Sequence, residues 1–336
     1  MRLLRVALVA AVTGALALGV VACGGDSDED GSLQKATLVL DYLPNGVHAG
    51  IYDAIANGYY EDEGIDLTVI TPTSTADTLR LIEAGKADFG LADGIDIATQ
   101  IDAGRDAQAI MAVTQRPSGG LITLADEGIE SPADLDGKTV GVTGVPSDTA
   151  VYETIVEGDG GDPASNKVVT IGFNGIQALQ AGKISAFTGY IPADATAIEA
   201  AGKKTRSFAF DDFGGPSYPG LVAFSTRSRI KEDPDLMAGF VAATTRGYED
   251  AVDDPAAAVD DLVESNPEID PGLAEDTFNA YRPLIGDPEN IGLFDEGSFV
   301  ELSDFLVREG LIDEPIAPRR FADPEFAGSS TVVIQD

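Results

Sequence analysis

Two residue types that carry much of enzymatic chemistry occur once each in this chain, as His48 and Cys23. A serine–histidine relay would have to run through His48, and no GxSxG elbow accompanies it. There is no HExxH or CxxC, and Gly141-Val142-Thr143-Gly144 lacks the GK[ST] element of a phosphate-binding loop. Gly158-Asp159-Gly160-Gly161-Asp162 has the composition of a calcium loop without its spacing, and reads as a surface turn. No metal or cofactor is expected. The polar residues that remain suit holding a small molecule better than transforming one. Asp41-Tyr42-Leu43-Pro44-Asn45-Gly46-Val47-His48 crowds a carboxylate, a phenol, an amide and an imidazole into one loop. Tyr42 offers a stacking face, Asn45 a donor and an acceptor, and His48 either role, a mixture that fits a small planar heterocycle. Pro44-Asn45-Gly46 is also a good turn in its own right.

Other polar positions fall where apolar strand-like runs end, which is where ligands bind in open α/β sheets. Ser74 follows the second such run, Asp93 follows the third, Gln115 follows the fourth and Tyr190 follows a later one. With Asp41, Tyr42, Asn45 and His48 they form the candidate ligand-binding set. For Thr73 or Ser74 with Asp77, and for Ser147 or Asp148, helix capping is the competing role.

These positions need a scaffold. Strand-like runs at 36–41, 65–71, 89–92 and 107–113 alternate with helical periodicity at 47–57, 75–84 and 95–103. The alternation resumes with strands at 139–142, 167–171, 186–188 and 205–210 and helices at 149–156, 176–181 and 193–201. Such alternation predicts an α/β fold of parallel β/α units. The last third is helical at 234–252, 256–263, 273–281 and 298–309, with Pro255, Pro267 and Pro271 at boundaries. Leu81-Ile82-Glu83-Ala84-Gly85-Lys86 and Leu179-Gln180-Ala181-Gly182-Lys183 repeat one device: a helix end, a glycine cap, a lysine, then a strand. The repeat suggests two related lobes, with 36–115 plus 222–336 as lobe I and 116–221 as lobe II. The chain would cross between them at 114–120 and 217–221, leaving a cleft able to close by hinge motion.

The N-terminus carries its own signal. Arg2 and Arg5 precede an apolar run at 6–21, short for a membrane span and suited to a signal peptide over 1–22. It ends at Val20-Val21-Ala22-Cys23, which resembles a bacterial lipobox, so Cys23 is expected to be lipidated. The acidic Gly/Ser segment that follows has nothing to bury, and 23–34 reads as a disordered tether to the outer face of the cytoplasmic membrane. A lone cysteine leaves no internal disulfide. The net charge of −36 rules against nucleic acid and against electrostatic adhesion to anionic lipid. A monomer is expected.

At the first loop the chain resembles a known family. Leu40-Asp41-Tyr42-Leu43-Pro44-Asn45-Gly46-Val47-His48-Ala49-Gly50-Ile51-Tyr52 is similar to the opening of solute-binding proteins of the thiamine-pyrimidine type. Asn57-Gly58-Tyr59-Tyr60-Glu61-Asp62-Glu63-Gly64-Ile65-Asp66-Leu67 resembles their "GYF…EGLDV" element, and Leu81 to Gly90 their "L…GKaDfG" element. Gln115-Arg116-Pro117-Ser118 stands at their polar-Pro crossover, Glu130 to Lys138 matches their "i.sp.DL.GK" run, and Glu232-Asp233-Pro234-Asp235-Leu236 their "enPdlv" helix start. The resemblance implies a two-lobed periplasmic-binding-protein type II fold. It also implies capture of a thiamine-precursor pyrimidine for an ABC permease and its ATPase. The wider superfamily binds sulfonates, nitrate and riboflavin, so another aromatic vitamin or a sulfonate is the near alternative. Eukaryotic pyrimidine synthases share the fold and use a histidine in a matching loop, so a synthase is the alternative from another class; the lipobox argues against it. Where relatives often carry tryptophan this chain has Tyr42, and it has no tryptophan at all. Their second-lobe segment is aromatic and acidic where this chain reads Thr188-Gly189-Tyr190-Ile191-Pro192-Ala193-Asp194.

Overall fold

A computed structural model describes residues 33–323 and 325–326; the expected signal peptide, Cys23 and most of the tether lie outside the described residues. The chain opens with β1 (Gln34–Val39), β2 (Ile65–Ile70), β3 (Phe89–Asp93) and β4 (Gln108–Ala112). It continues through β5 (Gly119–Leu124), β6 (Thr139–Val142), β7 (Lys167–Thr170), β8 (Ala186–Tyr190) and β9 (Thr205–Ala209) before returning as β10 (Leu221–Ser225). Two five-stranded sheets result, in the orders β2-β1-β3-β10-β4 and β7-β6-β8-β5-β9. The orders are the same once each sheet's inserted strand is set apart. β10 reaches the first sheet from the second, and β5 reaches the second from the first.

The inserted strands correct the expectation of purely parallel units. β10 runs antiparallel to β3 and β4, and β5 antiparallel to β8 and β9, while β1 with β2 and β3, and β6 with β7 and β8, are parallel. A strand arriving from the other sheet, without a crossover helix of its own, comes in from the opposite end. Strands covered on both faces read as continuous apolar runs: every residue of β10, and of the edge strand β4, is buried. Gly90 is required in β3, since a Cβ there would stand 2.6 Å from the Phe224 ring of β10. β1 begins two residues earlier than expected, taking Gln34 from the expected tether together with Lys35, because they continue the register with Ile65 and Asp66.

The repeated glycine–lysine device falls at equivalent places. Gly85 ends the helix Thr75–Glu83 ahead of β3, and Gly182 ends the helix Gly175–Gln180 ahead of β8, with φ of 61° and 64°. That left-handed geometry is one glycine adopts without penalty. The helices of the last third pack on the first sheet's side. Pro234–Asp253, Pro255–Ser265 and Pro271–Ile285 each start with proline in the first turn, and the preceding Asp233, Asp254 and Asp270 accept from the N–H groups of Leu236, Ala257 and Leu273. The expected helix at 47–57 divides into a tight turn, Gly46–His48, and a helix, Ala49–Ala56. That helix lies against Pro234–Asp253 through glycines: a Cβ on Gly247 would stand 2.1 Å from the Gly50 carbonyl oxygen. The Tyr248 hydroxyl donates to the Val47 carbonyl at 2.7 Å, fastening the loop after β1 to this helix.

Candidate functional site

Where the strands of the two sheets end, a cleft of about 730 Å³, including the part open to solvent, is walled by residues from both. The first sheet supplies Tyr42 after β1, Thr75 after β2, and Asp93, Ile95 and Asp96 after β3. The second supplies Thr143, Ser147 and Asp148 after β6, Phe173 after β7, Thr188, Tyr190 and Asp194 around the end of β8, and Phe210 after β9. Tyr218, on the way to β10, closes one side.

Tyr42 is the hub. Its ring meets Phe173 edge-on at 4.7 Å between centroids and Tyr190 edge-on at 5.9 Å. Its hydroxyl donates to Asp194 Oδ1 at 3.1 Å, and the Tyr190 backbone N–H donates to Asp194 Oδ2 at 2.9 Å. Asp194 sits in a short π-helical turn, Ile191–Ala195, the kind of irregularity often found at functional positions. In the segment Thr188 to Asp194, where the sequence departs from its relatives, Tyr190 puts an aromatic ring and Asp194 a carboxyl in the cleft wall. A second contact crosses the cleft where the Ser147 hydroxyl donates to Asp96 Oδ1 at 2.5 Å.

Burial governs the electrostatics. It raises the Asp93 carboxyl to about 7, with the charges of Asp148 and Asp41 acting the same way against the Ile95 N–H and the Tyr218 hydroxyl. It raises Asp194 to about 6 against the bonds from Tyr190 and Tyr42, and Asp148 to about 6 against those from Thr143. Asp96 is pushed well above the ordinary carboxylate range by burial, then by its neighbour Asp93. The Tyr42, Tyr190 and Tyr218 hydroxyls are pushed up, burial first. These phenols therefore stay protonated and act as donors.

Three candidates from the sequence, Tyr42, Asp93 and Tyr190, line the cleft together. Asp41 borders a smaller recess with Asp93, Tyr190 and Tyr281. Asn45, His48, Ser74 and Gln115 are not among the residues lining either space, and each has a structural reason. Asn45 caps the turn Gly46–His48, its side-chain oxygen accepting from the Val47 N–H at 3.0 Å and its amide donating to the Leu43 carbonyl at 2.9 Å. His48 is 0% exposed. Its Nδ1 accepts from the Asn45 N–H at 3.2 Å, so the proton is on Nε2, which donates to Asp41 Oδ1 at 2.9 Å. Gln115 ties the first crossover to the C-terminal region, its amide donating to the Asn290 and Leu293 carbonyls at 3.0 and 3.2 Å. Ser74 precedes a helix whose first residue, Thr75, takes the cleft position instead. Sequence reasoning left out Asp96, Phe173, Thr188, Asp194 and Tyr218. Only Asp194 had a local hint, four residues beyond Tyr190; the others acquire their role from tertiary placement.

Two mixed sheets of this order around a cleft define a periplasmic-binding-protein fold. Both ring nitrogens of the chain's one histidine are already engaged behind the cleft wall. The chain belongs to the NMT1/THI5-like family, whose sequence profile matches residues 45–258. It is similar to a formylaminopyrimidine-binding protein of Halalkalibacterium halodurans, at 28% identity over 86% of this chain and 90% of that one. It is also similar to 4-amino-5-hydroxymethyl-2-methylpyrimidine phosphate synthase of Legionella pneumophila, at 27% identity over 75% and 80%. In fold it matches the alkanesulfonate-binding protein SsuA of Xanthomonas axonopodis pv. citri, with a TM-score of 0.69 at 14% identity over 84% and 95% of the two chains.

Proposed function

We propose that this protein captures an aminopyrimidine of the thiamine-precursor type outside the cytoplasm and hands it to an ABC permease. In this reading Cys23 carries the lipid anchor. Lobe I (36–115 plus 222–336) and lobe II (116–221) close on the ligand about the crossovers near Arg116 and Tyr218. The observation that carries the reading is the wall of the cleft. Tyrosine and phenylalanine faces stand beside Asp93, Asp96, Asp148 and Asp194, with no lysine, arginine or histidine among the described lining residues. A flat ring with exocyclic amino groups satisfies both features, stacking on the aromatics and donating to the carboxylates. A sulfonate satisfies neither. The similarity to a formylaminopyrimidine-binding protein supports the same class of ligand.

Isothermal titration of the purified protein with 4-amino-5-hydroxymethyl-2-methylpyrimidine, its formylaminomethyl counterpart and an alkanesulfonate tests the reading. Saturable binding of either pyrimidine and none of the sulfonate is expected. Heat from the sulfonate alone refutes it.

A further inference from the structure

The cleft has a charge pattern that its proposed ligand class does not by itself require. Its carboxylates face one another across both walls, Asp93 and Asp96 from the first sheet and Asp148 and Asp194 from the second, without a counter-charge among the described lining residues. Two backbone N–H groups beside the cleft already serve these carboxyls. The Ile95 N–H, at the head of the helix Gly94–Asp102, donates to Asp93 at 2.8 Å, and the Thr143 N–H donates to Asp148 at 2.8 Å. The Ser147 hydroxyl is spent on Asp96. One polar atom is left over: Thr188 Oγ1 has no hydrogen-bond partner, although the residue is only 2% exposed and lines the cleft. A buried, unpartnered hydroxyl facing a cavity is a place reserved for a polar group of whatever fills it.

We propose that the cleft selects by charge: it admits a planar heterocycle that is neutral or cationic and rich in N–H donors, and refuses the phosphate ester of the same molecule. Asp93 and Asp194 are the specificity-determining residues, and the Thr188 hydroxyl takes one ring or substituent polar atom. The inference rests on the reading of the chain as a solute-binding protein. It adds that the captured form is the unphosphorylated one. A phosphate dianion in this cleft would give up its water and meet four carboxyls, with no lysine, arginine or histidine among the described lining residues to offset its charge.

The experiment is calorimetry on the whole protein with three matched pairs: 4-amino-5-hydroxymethyl-2-methylpyrimidine and its phosphate, thiamine and thiamine monophosphate, riboflavin and flavin mononucleotide. In whichever pair binds, the member without phosphate is expected to bind at least a hundredfold more tightly. Equal affinity within a binding pair, or preference for the ester, overturns the charge rule. If the thiamine or riboflavin pair binds selectively while the pyrimidine pair is silent, the pyrimidine reading fails and the charge rule stands. No heat from any of the six overturns both. Asp93→Asn and Asp194→Asn keep the side-chain shape, and each is expected to narrow the discrimination about tenfold. An unchanged ratio in both variants removes these two residues from the selection.

Discussion

The hydroxyl of Tyr42, on the loop that leaves β1, reaches across the cleft to Asp194, on the turn that leaves β8, 3.1 Å away. One wall is thereby bonded directly to the other, and Ser147 with Asp96 does the same deeper in. Tyr42 therefore has two separable duties, a ring for the site and a hydroxyl for closure. Tyr42→Phe keeps the first and removes the second. A net hydrogen bond contributes about 0.5–1.5 kcal/mol, so affinity for the bound heterocycle should fall roughly three- to tenfold. Small-angle scattering should show a more expanded ligand-free protein. Tyr42→Ala also loses the contacts with Phe173 and Tyr190 and should cost more than tenfold. Unaltered dissociation constants for both variants would take Tyr42 out of the site.

Asn45 behaves as a cap. Replacing it by alanine should cost about 1 kcal/mol of stability, which in a protein of this size lowers Tm by roughly 2 °C. Affinity should stay within about twofold, a change of under 0.5 kcal/mol. Scanning fluorimetry beside calorimetry tests this; a tenfold affinity loss at unchanged Tm would return Asn45 to the cleft.

His48 and Asp41 form a buried couple, and removing one partner strands the other. His48→Leu should destabilise the fold by about 3–5 kcal/mol, the usual cost of an uncompensated buried charge. His48→Gln, which can still donate to Asp41, should recover part of that. Urea unfolding of the two variants decides it, and equal stability of both would mean that only the volume of the ring matters.

Burial holds Asp93 at about 7 and Asp53, Asp148 and Asp194 at about 6. In the unfolded chain such groups ionise near 4. Between about pH 4 and 7 the unfolded state has therefore lost protons that the folded state keeps, so stability falls as pH rises through that window and levels off above it. The carboxyls shifted down, Asp106, Asp159 and Asp233, act in the opposite sense and below pH 4. Tm of the ligand-free protein should drop from pH 4.5 to 7.5, and Asp93→Asn should flatten the slope. A Tm that climbs over this range contradicts the assignment.

Gly247 meets the Gly50 carbonyl where two helices cross. Gly247→Ala must separate them, and overpacking of this kind costs about 1–3 kcal/mol. Because the Tyr248 hydroxyl holds Val47 from the same helix, the displacement should reach the Tyr42 loop and weaken ligand binding as well. A variant with full affinity and lowered Tm would confine the effect to packing.

What the sequence disclosed follows from what is local. Gly85-Lys86 and Gly182-Lys183 could be read as twin helix ends because a glycine cap depends on its own φ. The loop from Asp41 to His48 stood out by composition, yet composition does not tell which side of a wall a residue faces. Asn45 bonds within the loop and His48 is buried behind it, while Tyr42 lines the cleft. Asp96 looks like an ordinary acid in a helix's first turn, and only the approach of Ser147, fifty-one residues away, gives it a place at the site. Strand direction was equally hidden, since apolar periodicity is the same read either way; the antiparallel β5 and β10 became visible only once the sheets were assembled.

The strand exchange has a consequence for how the chain is made. β10 fills the gap between β3 and β4, so an emerging polypeptide that has delivered its first 112 residues holds a sheet with an empty interior position next to its edge. That position is filled only when residue 225 arrives, after the whole of the other sheet has been synthesised. The second sheet, β5 to β9, is continuous in sequence and complete by residue 209, whereas the first must wait for β10, so its folding is delayed by contacts far apart along the chain. A polypeptide built this way remains incomplete, and open to passage or to chaperones, until two-thirds of it has appeared.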